Sequence, residues 1–440
     1  MRIVQVSPAY APLVGGAERL LQAVSERLVA RGHDVTILTF DCATQRDFSS
    51  AIGAGLPPRE MLNGVRIIRV KPVQARLNRL HKWWLRQRGG WRTTQWIVGK
   101  DLWPLGLPSG IGTLLPLARL PADVVTSVNW HFGVSFWTCL PRPLQLAPRV
   151  AIPILHIARE WAQNETYSRM LRDCDAAIVC TAAEGEFVRA RGGTRVVVAG
   201  AGVEPRRFEQ RDGTRIRALH GIGARPVVGF VGRQDMYKGV PTLIRAMHTV
   251  WRHVQGAVLL LAGQRAHRDS TVEGMLDSLS ATDRQNVVLI DDFADKDAAS
   301  IMDACDLLAL PSVEESFGLV MIEAWMCGKP VIGADIPSTR CIIEHGVDGF
   351  MVKPSDSDDL AARILELLGD PATRELFGQR GRAKTLARYT WDRVTDAWEE
   401  TFREVLAWPA ARRTDNVPDH QRDRGGVSAP ARSLGSRNGA

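Results

Sequence analysis

The feature that most restricts how this chain can fold is a strand–turn–helix–strand unit in its last third. Asp306-Leu307-Leu308-Ala309-Leu310 is an apolar run of buried-strand length, stopped by Pro311-Ser312. Gly318 to Cys327 has helical length, good helix formers and apolar residues on nearly every face, so it is expected to be buried all round. Gly328-Lys329-Pro330 ends it with Gly-then-Pro punctuation, and Pro330-Val331-Ile332-Gly333-Ala334 reads as the next buried strand. A buried helix joining two buried strands implies a parallel α/β sheet. Ligands of such sheets lie beyond the carboxyl ends of the strands, which puts Glu315 at the mouth of a crevice. Glu323 then falls about two turns down the helix, roughly 12 Å from Glu315 if the helix is continuous between them.

These residue types describe a ligand. Free backbone N–H groups around Phe317, Gly318 and Leu319 form a helix start that favours an anion such as phosphate. Gly318 lets the backbone come close. Glu315 and Glu323 can each accept hydrogen bonds from hydroxyls of a sugar or a ribose, and their separation has them grip different parts of one long molecule. A phosphate between two polyols is a nucleotide sugar. Pro226-Val227-Val228-Gly229-Phe230-Val231-Gly232 opens a second strand-and-turn unit, followed by Arg233 and Lys238. Gly232 permits close approach, Arg233 can take phosphate bidentately and Lys238 acts as a point charge. Fixed cations stabilise the charge that a departing diphosphate gains.

The context Glu315-Ser-Phe-Gly-Leu-Val-x-x-Glu323-Ala-x-x-Cys-Gly-Lys-Pro-Val-Ile resembles the paired-glutamate signature of retaining glycosyltransferases of the GT-B type, in the large family 4 group. Gly232-Arg233-x-x-x-x-Lys238-Gly239 is similar to that family's diphosphate clamp. The resemblance implies two Rossmann-like domains facing a cleft, with the donor mainly on the second domain and the acceptor on the first. It implies that Glu315 contacts the transferred sugar, that Glu323 holds the ribose, and that the anomeric carbon keeps its configuration. It implies a final helix, Trp391 to Leu406, crossing back to the first domain. No metal and no cofactor are expected; the nucleotide sugar is a co-substrate.

The N-terminal half fits the same plan. Arg2 to Val6 reads as a strand, Ser7 to Gly16 as a loop, the segment from Ala17 to about Arg31 as an amphipathic helix, and Asp34 to Phe40 as a second strand. The loop lacks G-x-G-x-x-G, which counts against a dinucleotide enzyme. Gly15-Gly16 alone is equally a tight turn; within the resemblance it is the glycine loop under the donor phosphates. Val150 to Leu155 is expected to be a strand ending at His156, a position at which the family carries a histidine close to the transferred sugar. His131 is a second loop candidate, whereas His33 is expected only to close a turn. Gly202-Val203-Glu204 resembles the family's Gly-Val-Asp segment leading to the linker, and the charged, weakly patterned stretch Arg206 to Arg225 is where the domain linkage is expected. Expected boundaries are 1–205, 206–388, a crossover helix over 389–408, and a basic tail over 409–440 whose composition predicts disorder.

Charge is unevenly placed along the 440 residues, whose formal net charge is +8. Between Arg66 and Lys100 there are ten Lys or Arg and no Asp or Glu, interleaved with Trp83, Trp84, Trp91 and Trp96. This 71–120 insertion has two readings: a surface that docks on an anionic inner leaflet beside a lipid-linked saccharide acceptor, or a subdomain with its Trp packed inward. A basic chain can also meet nucleic acid, but the nucleotide-sugar reading needs none and none is expected. Seven cysteines without a CxxC pair predict reduced thiols and a cytoplasmic protein. Two other function classes stay open: an epimerase or phosphorylase on the same architecture, and a non-catalytic, membrane-docked sugar-nucleotide binder.

Overall fold

The computed structural model describes residues 1–13, 15–44, 47, 53–71, 110–130, 134, 135, 138, 147–157, 165–264 and 271–408. Most of the basic Trp-rich insertion, the 409–440 tail and His131 lie outside the described residues.

Two sheets organise the chain. The first comprises β1 (Arg2–Val6), β2 (Asp34–Phe40), β3 (Arg59–Leu62), β4 (Val65–Val70), β5 (Val124–Val128), β6 (Arg149–Ile152), β7 (Ala176–Val179) and β8 (Val196–Val198), in the order β3-β4-β2-β1-β5-β6-β7-β8. All its pairings are parallel except that of β3 with β4. The second comprises β9 (Val227–Val231), β10 (Val258–Ala262), β11 (Val287–Ile290), β12 (Leu307–Leu310), β13 (Val331–Ala334) and β14 (Gly349–Val352), all parallel, in the order β11-β10-β9-β12-β13-β14. Central strands such as β9, β10 and β12 are buried along their whole length, as helices on both faces require. The strand order reverses at β1/β5 in the first sheet and at β9/β12 in the second. Such reversals open crevices at the carboxyl ends of the strands. Gly232 to Lys238 leaves the end of β9 and Pro311 to Glu315 leaves the end of β12, so both candidate clamps sit at one switch point.

Five helices bear on the site and on the joint between the halves: α1 (Gly16–Ala30), α2 (Ala182–Ala190), α3 (Gly213–Leu219), α4 (Leu319–Met326) and α5 (Trp391–Ala407). Helix α5 returns to the first sheet and lies on α1. Its Glu399, buried, accepts from Arg31 Nη1 at 2.9 Å, sits 2.9 Å from His33 Nε2, and also takes Arg403. His33 closes the turn after α1 as expected, its N–H donating to Leu28 O at 3.1 Å, and its side chain also ties down the final helix. Arg27 of α1 bridges to Glu204 at 2.5 Å and to Asp392 at 2.9 Å. Glu204 stands at the start of the turn Pro205–Phe208, with its side chain turned to Arg27 instead of to the turn's N–H groups, and Arg27 links it to Asp392 of the returning helix.

Residues 206–225, expected to hold the linkage, pack on the second sheet. Asp212 caps α3, Arg211 reaches Asp303 at 3.1 Å, and Arg217 reaches Asp306 at 3.0 Å. The crossing between halves lies just before, where Val203 bridges Thr390 and a Cβ on Gly202 would come within 2.6 Å of Trp391 N. Strand β6 also stops earlier than the expected Leu155. Pro153 has no N–H to give a ladder, and Ile154 adopts φ +53°. No helix of the described residues is long and apolar enough to cross a membrane.

Candidate active site

Helix α4 is built as the sequence requires, with Met321, Ile322, Ala324, Trp325 and Met326 all buried. It starts later than a continuous helix from Glu315 would. Gly318 is its N-cap in the left-handed region at φ +96°, a conformation that glycine adopts without strain. Glu315 therefore lies in the loop ahead of the helix, and Glu323 sits about one turn inside it, not two. The N–H groups of Phe317, Gly318 and Leu319 donate to no acceptor among the described residues, the arrangement that suits an anion. The Phe317 side chain is buried against Tyr389, with ring centroids 5.5 Å apart, so only its backbone faces a ligand.

Glu315 meets the β9 loop. Its Oε2 accepts from Lys238 Nζ at 2.6 Å, and its Oε1 accepts weakly from Ser316 N at 3.3 Å. Burial alone would raise its carboxyl, but the Lys238 charge and hydrogen bond, with the His156 charge, hold it below the usual carboxylate range. Lys238 is itself placed by its backbone N–H, which donates to Asp235 Oδ1 at 2.8 Å. Arg233 bonds Asp235 Oδ2 at 2.5 Å and leaves its side chain 57% exposed. Of the two clamp cations, Lys238 is thus the one in contact with the paired-glutamate loop. Gly232, at φ +145°, and Gly239, at φ +75°, frame this loop; a Cβ on Gly239 would overlap the Pro311 carbonyl oxygen.

The first half supplies the opposite wall. Gly15 is the N-cap of α1, and a Cβ on Gly16 would stand 3.6 Å from Leu319 Cδ1, so the glycine loop faces the tip of α4. His156 Nδ1 lies 4.0 Å from Glu314 Oε2. Arg19, one turn into α1, reaches across to Glu323 Oε1 at 3.3 Å and also pairs with Asp295, which Arg207 holds at 2.5 Å. Glu323 is 7% exposed. Burial pushes its carboxyl up against the pull of Arg19 and Arg207, with Asp295 adding to the rise.

Glu315, Glu323, Lys238, His156, Gly16 and the α4 tip are therefore brought to one gap between the two sheets. Three residues that the sequence reading did not single out belong there too: Glu314, Arg19 and Asp295. Glu314 adjoins a glutamate that was singled out, and Arg19 follows directly on Gly-Gly-Ala-Glu. Nothing local in the sequence announces partners some three hundred positions away. Among the described residues no group of three or more His, Cys, Asp or Glu is placed to hold a metal ion.

Comparison with known proteins matches this arrangement. Residues 15–202 match the family model described as a glycosyl transferase 4-like domain, and residues 212–384 match glycosyl transferases group 1. The chain is 28% identical over 326 residues to a D-inositol 3-phosphate glycosyltransferase of Mycobacterium marinum, covering 68% of this chain and 66% of that protein. It is 26% identical over 421 residues to an uncharacterized glycosyltransferase of Methanocaldococcus jannaschii, covering 92% of this chain and 99% of that one. Among solved structures, sucrose-phosphate synthase from Thermosynechococcus elongatus superimposes with a TM-score of 0.72 at 20% identity, over 92% of this chain and 99% of that one. Anabaena HepE in complex with UDP and glucose does so with a TM-score of 0.69 at 20% identity, over 92% and 100%. These structural likenesses speak to the fold, which is GT-B. With one family model on each half and a single gap between them, the chain belongs to the group 1 glycosyl transferases.

Proposed function

We propose that this protein transfers a glycosyl unit from a nucleotide sugar, held mainly by the second domain, to an acceptor presented by the first. The observation that carries the reading is the Lys238–Glu315 pair at the N-terminus of α4, opposite His156 and the Gly15-Gly16 loop. As the bond from the anomeric carbon to the diphosphate oxygen breaks, negative charge grows on that oxygen. Lys238, Arg233 and the N–H groups of Phe317 to Leu319 stabilise it. Glu315, kept ionised by Lys238, orients the sugar hydroxyls, and His156 closes over the sugar from the acceptor side. Glu323 takes the ribose hydroxyls once Arg19 yields the carboxylate. Reaction with retention follows the family resemblance: the acceptor hydroxyl approaches the face that the diphosphate leaves and passes its proton to the departing oxygen. In this scheme no metal is called on, because the cations and the helix tip supply the positive charge.

For the acceptor, the basic Trp-rich insertion supports a lipid-linked saccharide in surface polysaccharide or glycolipid synthesis, reached from the cytoplasmic face of an anionic membrane. The name of the Mycobacterium marinum relative adds a phosphorylated polyol to the compounds to be tried. A thermal-shift panel of UDP, GDP and ADP sugars tests the donor. UDP sugars come first because the similar HepE structures hold UDP. A ligand at a hundred times Kd stabilises by about 2.7 kcal/mol. Stabilisation by none of the panel would overturn the reading. Conversion of a donor without any acceptor would replace it with an epimerase, and a strict requirement for inorganic phosphate with a phosphorylase. Flotation with anionic liposomes tests the membrane part: a chain that stays with the unbound protein, or an Arg/Trp-to-Ser insertion variant that floats equally well, removes it.

A further inference from the structure

Glu184 lies outside the gap just described, yet it is a carboxylate only 1% exposed. It sits in the first turn of α2, whose N-cap Thr181 accepts from Glu184 N through its hydroxyl at 3.2 Å. A Thr-x-x-Glu sequence usually marks a capping box, in which the Glu reaches back to the cap residue's own N–H. Here the side chain goes elsewhere. Oε2 accepts from Cys180 N at 2.8 Å, and Oε1 accepts from Leu155 N, also at 2.8 Å, with the Ile154 N–H directed at the same carboxylate. One buried side chain thus joins the end of β7 to the loop that follows β6.

That loop is the one that ends at His156. It leaves the sheet at Pro153 and passes through Ile154 at φ +53°, a conformation that is an outlier for a β-branched residue and persists only where its surroundings impose it. Leu155 is buried in the cluster with Trp130 and Tyr167. With its N–H groups taken by Glu184, the loop has one way to run, and directly after Leu155 it delivers the His156 imidazole to within 4.0 Å of Glu314 and near enough for its charge to act on Glu315. We infer that Glu184 is a positioning residue, which sets the reach of His156 into the gap by fixing the backbone of residues 154 and 155 from beneath. The inference rests on the proposed function for what His156 does, but not for where it stands.

The test compares Glu184→Gln with Thr181→Ala in the full chain. Gln keeps the shape but can accept with only one of its two terminal atoms, so a loop N–H is left facing another donor. Thr181→Ala weakens the same helix start and leaves the carboxylate in place. Glu184→Gln is expected to lower kcat by roughly 10- to 100-fold, the scale of a misplaced contact group, with the KM for donor nearly unchanged. Thr181→Ala is expected to lower Tm and leave kcat unaltered. In a His156→Ala background, Glu184→Gln should cause no further loss. Normal turnover in Glu184→Gln, or losses that multiply with those of His156→Ala, overturns the inference. A second readout needs no activity: the imidazole resonances of His156, in protein labelled at histidine, should shift in Glu184→Gln and not in Thr181→Ala. Unmoved resonances sink the positioning role even if transfer is confirmed. Shifted resonances in a chain that transfers no sugar uphold it and refute only the proposed function. If Glu184→Gln does not fold, Glu184→Asp, charged but one methylene shorter, is read in the same way.

Discussion

Replacing Glu323 by Gln tests the donor assignment where its size can be worked out. The side chain is 7% exposed, and in the free protein its polar partner is Arg19, 3.3 Å away. A ribose presents two vicinal hydroxyls to such a carboxylate. Hydrogen bonds to a charged group contribute about 1.5–3 kcal/mol each, against about 0.5–1.5 kcal/mol for neutral ones. Exchanging carboxylate for amide across two bonds therefore removes about 2–3 kcal/mol, or roughly 25- to 150-fold in Kd. Gln is nearly isosteric and Arg19 keeps Asp295, so the packing of α4 should survive. Titration calorimetry with the nucleoside diphosphate measures this without any acceptor. The same carboxylate gives a pH signature. Because burial raises its pKa, nucleotide affinity should begin to fall with acidification sooner than for an exposed glutamate, and the fall should be absent in Glu323→Gln. A Kd within about twofold of wild type, well under 1 kcal/mol, would show that Glu323 is not the ribose ligand.

Other expectations come from individual contacts. Lys238→Met should lower kcat by about 100- to 1,000-fold, the scale set by losing a donor to developing charge, and should let the Glu315 pKa rise, since burial would then be opposed only by the His156 charge and the Ser316 N–H; a pH–rate profile reads both. Glu399→Ala strips the buried partner from Arg31, His33 and Arg403 and should destabilise the docking of α5 on α1 by about 3–5 kcal/mol in urea unfolding. Although burial opposes it, the Glu399 pKa is held low by His33 and Arg31, so its contribution is complete above the unfolded carboxylate range and is lost as pH falls through the lowered value. Glu184 has the opposite sign. Burial pushes its pKa up from 4.5 to about 7, so the native state retains a proton that the unfolded chain releases. Stability should decline by about 3 kcal/mol between pH 4.5 and 7.5, and Glu184→Gln should flatten that slope.

Much of this molecule can be read locally. The strands around β9, β12 and β13 announce themselves because a strand buried on both faces is a bare apolar run between Gly and Pro, and α4 does so because it is apolar all round. The paired glutamates stand out for the complementary reason, being charges where the pattern demands none. What escaped depends on long-range contact or on backbone geometry. Glu323 falls one turn into α4 and not two because the left-handed turn at Gly318 starts the helix only after Glu315. Strand β3, at the edge of its sheet, carries the mixed Arg59-Glu60-Met61-Leu62 and gives no periodic signal; its pairing with β4 supplies the structure. Residues 206–225 look like a linker because their charges have no visible partners until Asp303 and Asp306 are placed opposite them. Arg19 meets Glu323 only once both sheets exist, and Glu184 meets the loop before His156 only once β6 and β7 lie side by side.

The most direct test of a single site built from both halves of the chain is the rate of acceptor-dependent nucleotide release from the donor that stabilises the chain most, measured for wild type and for Glu315→Gln, with nucleotide affinity measured alongside. Release by wild type is expected, slowed by about 100-fold in the variant at nearly unchanged affinity for the nucleoside diphosphate. Equal rates in the two proteins, or a variant whose only defect is weaker nucleotide binding, would contradict this expectation.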